Sequence, residues 1–225
     1  MERSGRIAFR LRRRPAFPFV DPDAADEYVA YGGALSPEWI TEAYVHGFFP
    51  FFAFRVEGLK WCCPTDRFVI FPKEIHVSHS MRTLMNGGKY RVTFNGAFGK
   101  VIHSCSALRI GERYAWLGPD MIEAYTELNR LGIARSVEVW EGENLVGGLY
   151  GLRIGNVFYG ESMFSLAPSA SKLALIALAR SMELDGGVMI DCQYETAHLL
   201  TMGGRHISYD EYMRNIGWEQ VRDGQ

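Results

Sequence analysis

The sequence predicts an α+β fold, with a mainly antiparallel central sheet and helices packed against it. Three observations carry this. Residues 136–160 alternate and turn as a meander: Val137–Trp140 and Leu145–Val146 flank the turn at residues 141–144, and a second turn at 153–156 leads into Val157 and Phe158. Ser169 to Asp185 follows helical spacing through Leu173, Ile176, Ala177 and Arg180, with Gly186 and Gly187 after it. Near residues 60–66 an aromatic, proline-containing segment gives way to regular strands. A small N-terminal domain over 1–64 and a larger domain over 65–225 are therefore expected.

The 225 residues suffice for a real core, and 48% hydrophobic with 22% charged residues is ordinary for a soluble globular chain. No run of 18 apolar residues occurs, so no membrane helix is expected. The basic N-terminus lacks an apolar secretory core. Cys62, Cys63, Cys105 and Cys192 form no Cys-x-x-Cys pattern, which fits a reduced, cytoplasmic setting. The net charge of −2 does not announce a nucleic-acid binder, but six arginines (3, 6, 10, 12, 13 and 14) crowd residues 1–14 against one acid, Glu2. That arm is either a phosphate contact or a solvated basic tail.

Residues 15–34 read as irregular, with a turn at Gly32-Gly33. Ser36-Pro37-Glu38 opens a helix as cap, first helical proline and first-turn acid, and Gly47 stops it. Phe48 to Phe52 is an aromatic cluster around Pro50, in which not all rings can face one side. Arg67–Phe71 and Tyr90–Phe94 read as strands. Asn95 is expected to cap a helix reaching about Ala107, with Phe98, Val101, Ile102 and Cys105 on one side. Pro119 starts another helix with an Ile122–Tyr125–Leu128 stripe, ended by Gly132. A strand over 188–193 and a short helix near 209–216 complete the chain.

The chemistry-bearing residues stand at strand ends. One apolar strand breaks at Gly160 and presents Glu161. Another, Val188–Ile190, ends in Asp191 and Gln193, which as strand residues two apart are expected to point the same way. Asp at a strand end is more often a cap or ion-pair partner than a catalyst. His76-x-x-His79 lacks further ligands for zinc, so surface or turn histidines are expected. Gly147, Gly148 and Gly151 match no phosphate loop and read as room for tight strand packing. Ser162 has no nucleophile elbow, and Cys192 reads as a core thiol.

Longer blocks say more. Gly32–Pro37, Gly47–Pro50, Arg67–Pro72, Ile75–Ser78, Met121–Tyr125, Ser136–Trp140, Leu145–Gly151, Gly160–Ser165, Ala170–Lys172 and Ile190–Gln193, in this order, resemble the leucyl/phenylalanyl-tRNA–protein transferase family from about residue 17 to 216. The resemblance implies a small N-terminal domain and a larger one similar to the GNAT acyltransferases. It implies transfer of Leu or Phe, less well Met, from aminoacyl-tRNA to the N-terminal α-amine of proteins beginning with Lys or Arg, which makes an N-degron. It implies no cofactor, no metal and no membrane; a monomer is expected.

Residue by residue, the resemblance carries the catalytic Asp and Gln onto Asp191 and Gln193 and the pocket Glu onto Glu161. The residues near the aminoacyl group and terminal adenosine fall on Phe51, Trp116, Tyr125, Leu149 and Phe158. Three departures stand out: Phe51 and Ala34 replace a usual Trp and Asp, and Trp61-Cys62-Cys63-Pro64 replaces Trp-Trp-Ser/Cys-Pro. The segment after Ser78, often strongly basic in relatives, keeps only Arg82 and Lys89. The tRNA contact is then expected to lean on Arg12, Arg13 and Arg14 as well.

This chemistry suits those residues. An aminoacyl ester is already activated, and an α-amine with a pKa of about 7.7–8 is partly neutral at cellular pH. Orientation, proton removal and oxyanion stabilisation remain to be supplied. Asp191 would orient Gln193 and help move the proton, unless the tRNA ribose hydroxyl does so. Glu161 would hold a cationic part of the acceptor. Two other classes compete. An acyl-CoA acetyltransferase would need a pyrophosphate loop where Ser165–Ser171 stands. A non-catalytic binder would have no use for Glu161, Asp191 and Gln193 together.

Overall fold

The structure, a computed structural model, describes residues 5–18, 20–51, 58–107 and 117–217. In chain order its strands are β1 (Arg6–Arg10), β2 (Glu27–Tyr31), β3 (Phe49–Pro50), β4 (Lys60–Pro64), β5 (Asp66–Ile70), β6 (Arg91–Phe94), β7 (Ala134–Glu141), β8 (Asn144–Ile154), β9 (Val157–Ser165), β10 (Met189–Asp191) and β11 (Arg205–Ser208). Its helices are α1 (Pro37–Val45), α2 (His79–Asn86), α3 (Phe98–Ala107), α4 (Pro119–Arg130), α5 (Ala170–Leu184), α6 (Ala197–Leu200) and α7 (Tyr209–Asn215). The α+β class is the one expected.

The chain groups into two compact units: Met1–Arg67 with Arg109–Glu127 and Ile207–Gln225, and Phe68–Leu108 with Leu128–His206. Neither is the single continuous segment of the 1–64 and 65–225 division. The returning segments carry core residues of the first unit. The Tyr125 hydroxyl lies 3.4 Å from that of Tyr44. Tyr212 accepts a hydrogen bond from buried Arg67 at 3.0 Å, and its ring lies under the same guanidinium.

In the first unit the sheet order is β1-β2-β4-β3, with β1 parallel to β2 and the other pairs antiparallel. Ser36 caps α1 by accepting the Trp39 N–H at 3.4 Å. Buried Phe17, Trp39, Phe48 and Trp61 interlock, with ring centroids 5.1–6.5 Å apart. The aromatic cluster is thus split by strand geometry: Phe48 and Phe49 are buried, while Phe51 is 37% exposed. Residues 15–34, expected to be irregular, contain β2. The basic arm is in part the strand β1, whose Arg6 pairs with Glu27 at 2.5 Å.

In the second unit the sheet runs β11-β5-β10-β9-β8-β7-β6. The β7–β8–β9 meander is antiparallel, and β9 pairs with β10 in parallel. Its core unites Phe68, Ile70, Val137, Leu149, Phe158, Ile190 and the apolar face of α5. Glycines let α5 and the strands close in. A Cβ on Gly147 would come within 2.5 Å of the Ala170 Cβ, and one on Gly151 would collide with the Tyr159 carbonyl.

Asn95 does not cap α3. Its backbone is left-handed (φ 57°) and its Oδ1 accepts the Ser136 N–H at 2.9 Å. Buried Glu138 meets the helix start instead, accepting the Gly96 and Ala97 N–H groups at 3.3 and 3.4 Å and the Ser136 hydroxyl at 2.6 Å. The carboxylate offers one oxygen to each of these two N–H groups, and its charge complements the helix dipole.

Candidate active site

The site begins where β10 ends. Ile190 is in register with Ile70 of β5 and Phe158 of β9; Asp191 is in register with Val69 and Tyr159. Asp191 is fully buried, and its Oδ1 accepts the Gln193 N–H at 2.9 Å. Gln193 has φ 59°, a left-handed conformation that costs a residue with a Cβ about 1 kcal/mol. The strand expected over 188–193 therefore stops at Asp191, and the shared-face argument for Asp191 and Gln193 does not apply. A turn relates them instead, because a carboxylate two residues back competes for the backbone N–H.

The turn is pinned on all sides. The Cys192 N–H donates to the Phe68 carbonyl at 3.0 Å, the Phe68 N–H to the Gln193 carbonyl at 3.3 Å, and the Tyr194 N–H to the Cys192 carbonyl at 2.7 Å. The half-buried Gln193 side chain thus stands on a backbone with little freedom. Cys192 packs against the core cluster.

Glu161 is the extra residue of a β-bulge. Tyr150 of β8 faces Ser162, while its neighbour Gly151 faces Gly160. A bulge bends the strand and re-aims the added side chain. The bulge lies against the turn, since a Cβ on Gly160 would sit 3.5 Å from the Asp191 carbonyl oxygen. Pairing of β9 with β10 ends at Tyr159, whereas β9 runs on to Ser165. Beside Glu161, then, β9 has an edge that β10 does not cover. All three sequence-predicted catalytic residues belong to the second unit and converge on this junction.

The other predicted residues scatter. Leu149 and Phe158 are core residues, 3% and 2% exposed; Phe158 also borders a cavity of about 110 Å³ with Val137, Leu178 and Met182. Tyr125 is buried in the first unit, to which exposed Phe51 also belongs. Trp116 lies outside the described residues. Arg12, Arg13, Arg14 and Arg82 are exposed. Lys89 is exposed too, but a hydrogen bond to Tyr90 and the charge of Glu141, 3.5 Å away, raise its pKa. His76 and His79 are exposed, the latter opening α2.

Sequence reasoning passed over several features. Arg91 and Lys100 place cations 5.4 and 5.7 Å from the Trp140 ring centroid, a cluster hidden by separation in the chain. An apolar recess of about 450 Å³ is lined by Leu84, Met85, Tyr90, Val92, Leu173 and Leu184.

The chain matches the Leucyl/phenylalanyl-tRNA protein transferase family over residues 69–217. It is 44% identical over 189 residues to the leucyl/phenylalanyl-tRNA–protein transferase of Nitrosomonas eutropha, covering 84% of this chain and 80% of that one. The enzyme of the same name from Cellvibrio japonicus is 44% identical over 203 residues (89% and 86%), and that from Chromohalobacter salexigens 46% over 197 (87% and 77%). Likeness to solved structures is slight. An aminoglycoside acetyltransferase from an uncultured soil metagenomic sample aligns at 13% identity and TM-score 0.41, over 51% of this chain and 84% of that one. A GCN5-related N-acetyltransferase from Kribbella flavida aligns at 10% and 0.38, over 80% and 63%.

The protein is accordingly an α+β enzyme of the aminoacyltransferase class. The chain belongs to the leucyl/phenylalanyl-tRNA–protein transferase family.

Proposed function

We propose that this enzyme takes Leu or Phe, and less well Met, from aminoacyl-tRNA and adds it to the N-terminal α-amine of proteins that begin with Lys or Arg. The product is an N-degron, and the setting is the cytoplasm. Family membership supports the donor and the reaction class. The observation that carries the site assignment is the left-handed Gln193, held by buried Asp191 against the Glu161 bulge.

The chemistry balances without a cofactor. The acceptor nitrogen attacks the ester carbonyl carbon, the bond from that carbon to the ribose oxygen breaks, and a peptide bond forms. One proton leaves the nitrogen and one arrives on the ribose oxygen. The Gln193 amide both donates and accepts, so it contacts the attacking amine or the oxyanion. Asp191 accepts the Gln193 N–H and so sets the turn that presents the amide; it is a positioning residue. Glu161, re-aimed by the bulge, supplies a carboxylate for the cationic acceptor.

The test is transfer of labelled Phe or Leu from charged tRNA to a model protein starting with Arg, beside one starting with Lys and one starting with Ala. Transfer to Arg and Lys alone is expected. Transfer to all three would overturn the acceptor assignment. Gln193→Ala is expected to lower the rate by about 10²–10³-fold; a loss below tenfold would move the centre elsewhere.

A further inference from the structure

At one end of the first unit's sheet, four neighbouring strands place an alternating row of cations and aromatic rings. Arg10 of β1 is in register with Tyr31 of β2, and Tyr31 with Lys60 of β4. The next residue across is Phe51, whose N–H donates to the Lys60 carbonyl at 3.0 Å and whose ring centroid lies 5.7 Å from the Lys60 ammonium. Residues in register share a face of the sheet, so the four side chains stand side by side. Three strand spacings make the row about 14 Å long.

The row is open to solvent. Tyr31 is 40% and Phe51 37% exposed, Arg10 is exposed, and Lys60 is partly so. On the same face, the neighbours one step up the strands, Val29 and Cys62, are 1% and 2% exposed. On this face β1 stays exposed at Ala8, while the other strands are buried one step in at Val29, Cys62 and Phe49, so the row of Arg, Tyr, Lys and Phe is the open margin of the sheet and not part of its core. Beyond Arg10 the chain continues into exposed Arg12, Arg13 and Arg14.

We propose that Arg10, Tyr31, Lys60 and Phe51 form a track for single-stranded RNA, and that its occupant is the unpaired 3′ segment of the aminoacyl-tRNA. This rests on the function proposed above. Alternate rings offer stacking faces for bases, and the cations between them meet the phosphates. A duplex hides its base faces, so this surface favours an unpaired strand. Two rings among cations select no sequence, which suits an end common to every charged tRNA.

The test is binding of the full chain to a fluorescent single-stranded RNA dodecamer and to a duplex RNA of equal charge, with transfer from Phe-tRNA followed on the same preparations. The single strand is expected to bind more tightly. Tyr31→Ala should weaken it about tenfold or more while Tyr31→Phe keeps it. Lys60→Ala should lower the slope of log K against log salt by about 0.7. Equal binding of both RNAs, or a Tyr31→Ala chain that melts like the parent and binds the single strand equally well, would overturn the track. If the parent protein binds single strands through Tyr31 but transfers nothing, the track stands and the proposed function fails. If it transfers and Tyr31→Ala changes neither RNA binding nor the KM for Phe-tRNA, the function stands and the track fails.

Discussion

The buried Asp191 carboxylate accepts the Gln193 N–H at 2.9 Å, and together with the backbone bonds to Phe68 it holds a glutamine in a backbone conformation that glutamine disfavours. These bonds supply what the left-handed turn costs. Asp191→Ala removes the acceptor and leaves the N–H to find another. Asp191→Asn keeps an oxygen in place. Transfer should fall by about 10²–10³-fold in the Ala variant, with partial recovery in the Asn variant. Steady-state rates at saturating Phe-tRNA decide it; equal losses would mean that the charge matters and the turn does not.

Gln193→Gly separates strain from chemistry. Glycine adopts φ 59° freely, so the folded chain should gain up to about 1 kcal/mol, offset in part by greater freedom in the unfolded chain. The amide is gone, so transfer should drop as in Gln193→Ala. A chain that melts no lower than the parent and is inactive is the expected pair of results. Retained activity would remove Gln193 from the chemistry.

Deleting Glu161 takes out the bulge residue and lets Gly160 and Ser162 continue the ladder that Gly151 and Tyr150 already define. A native far-UV circular dichroism spectrum with transfer lowered at least about hundredfold is expected. Full activity after the deletion would mean that neither the carboxylate nor the bend is used.

Glu138 is a stability residue at a strand-to-helix junction. Glu138→Ala strips the Gly96 and Ala97 N–H groups and the Thr93 and Ser136 hydroxyls of their shared acceptor. A loss of at least about 1–3 kcal/mol in urea unfolding is expected, without a change in the donor KM of the molecules that remain folded. A loss within about 0.5 kcal/mol would show that other groups cap α3.

His198 gives an acid-side slope. Its Nε2 is buried with no hydrogen-bond partner among the described residues, and burial, then the Lys172 charge, lower its pKa below the ordinary 6.5. The unfolded chain takes up this proton first. Stability is therefore lost as pH falls from about 6.5 toward the lowered folded value, and levels off beneath it. Melting temperatures between about pH 5 and 7.5 should show this slope in the parent and a flatter one in His198→Phe. Parallel curves would assign the slope to other groups.

Local signals were read correctly where the nearest neighbours in the chain decide the outcome. Ser36-Pro37-Glu38 opens α1, Gly142 and Gly155 turn the meander, and Gly147, Gly148 and Gly151 mark close packing. Failures came where a distant residue outbids a local one. Asn95 looks like a cap until Glu138 arrives from β7. Gln193 looks like a strand residue until the β9–β10 pairing stops at Tyr159. The first unit's membership followed the same rule, since Tyr125 meets Tyr44 and Tyr212 meets Arg67 across long stretches of chain.

By itself the sequence determined the α+β class, the meander with its flanking helix, the family, and the three polar residues at the strand ends. Each of these depends on residue type, order and short-range periodicity, which a linear text preserves. Only the tertiary structure decided that Glu161 is a bulge residue, that Asp191 is buried and acts on Gln193 through its backbone, and that Arg10, Tyr31, Lys60 and Phe51 line up across four strands. Register between strands is set by hydrogen bonds and burial summed over segments far apart in the chain, and no local pattern records that sum.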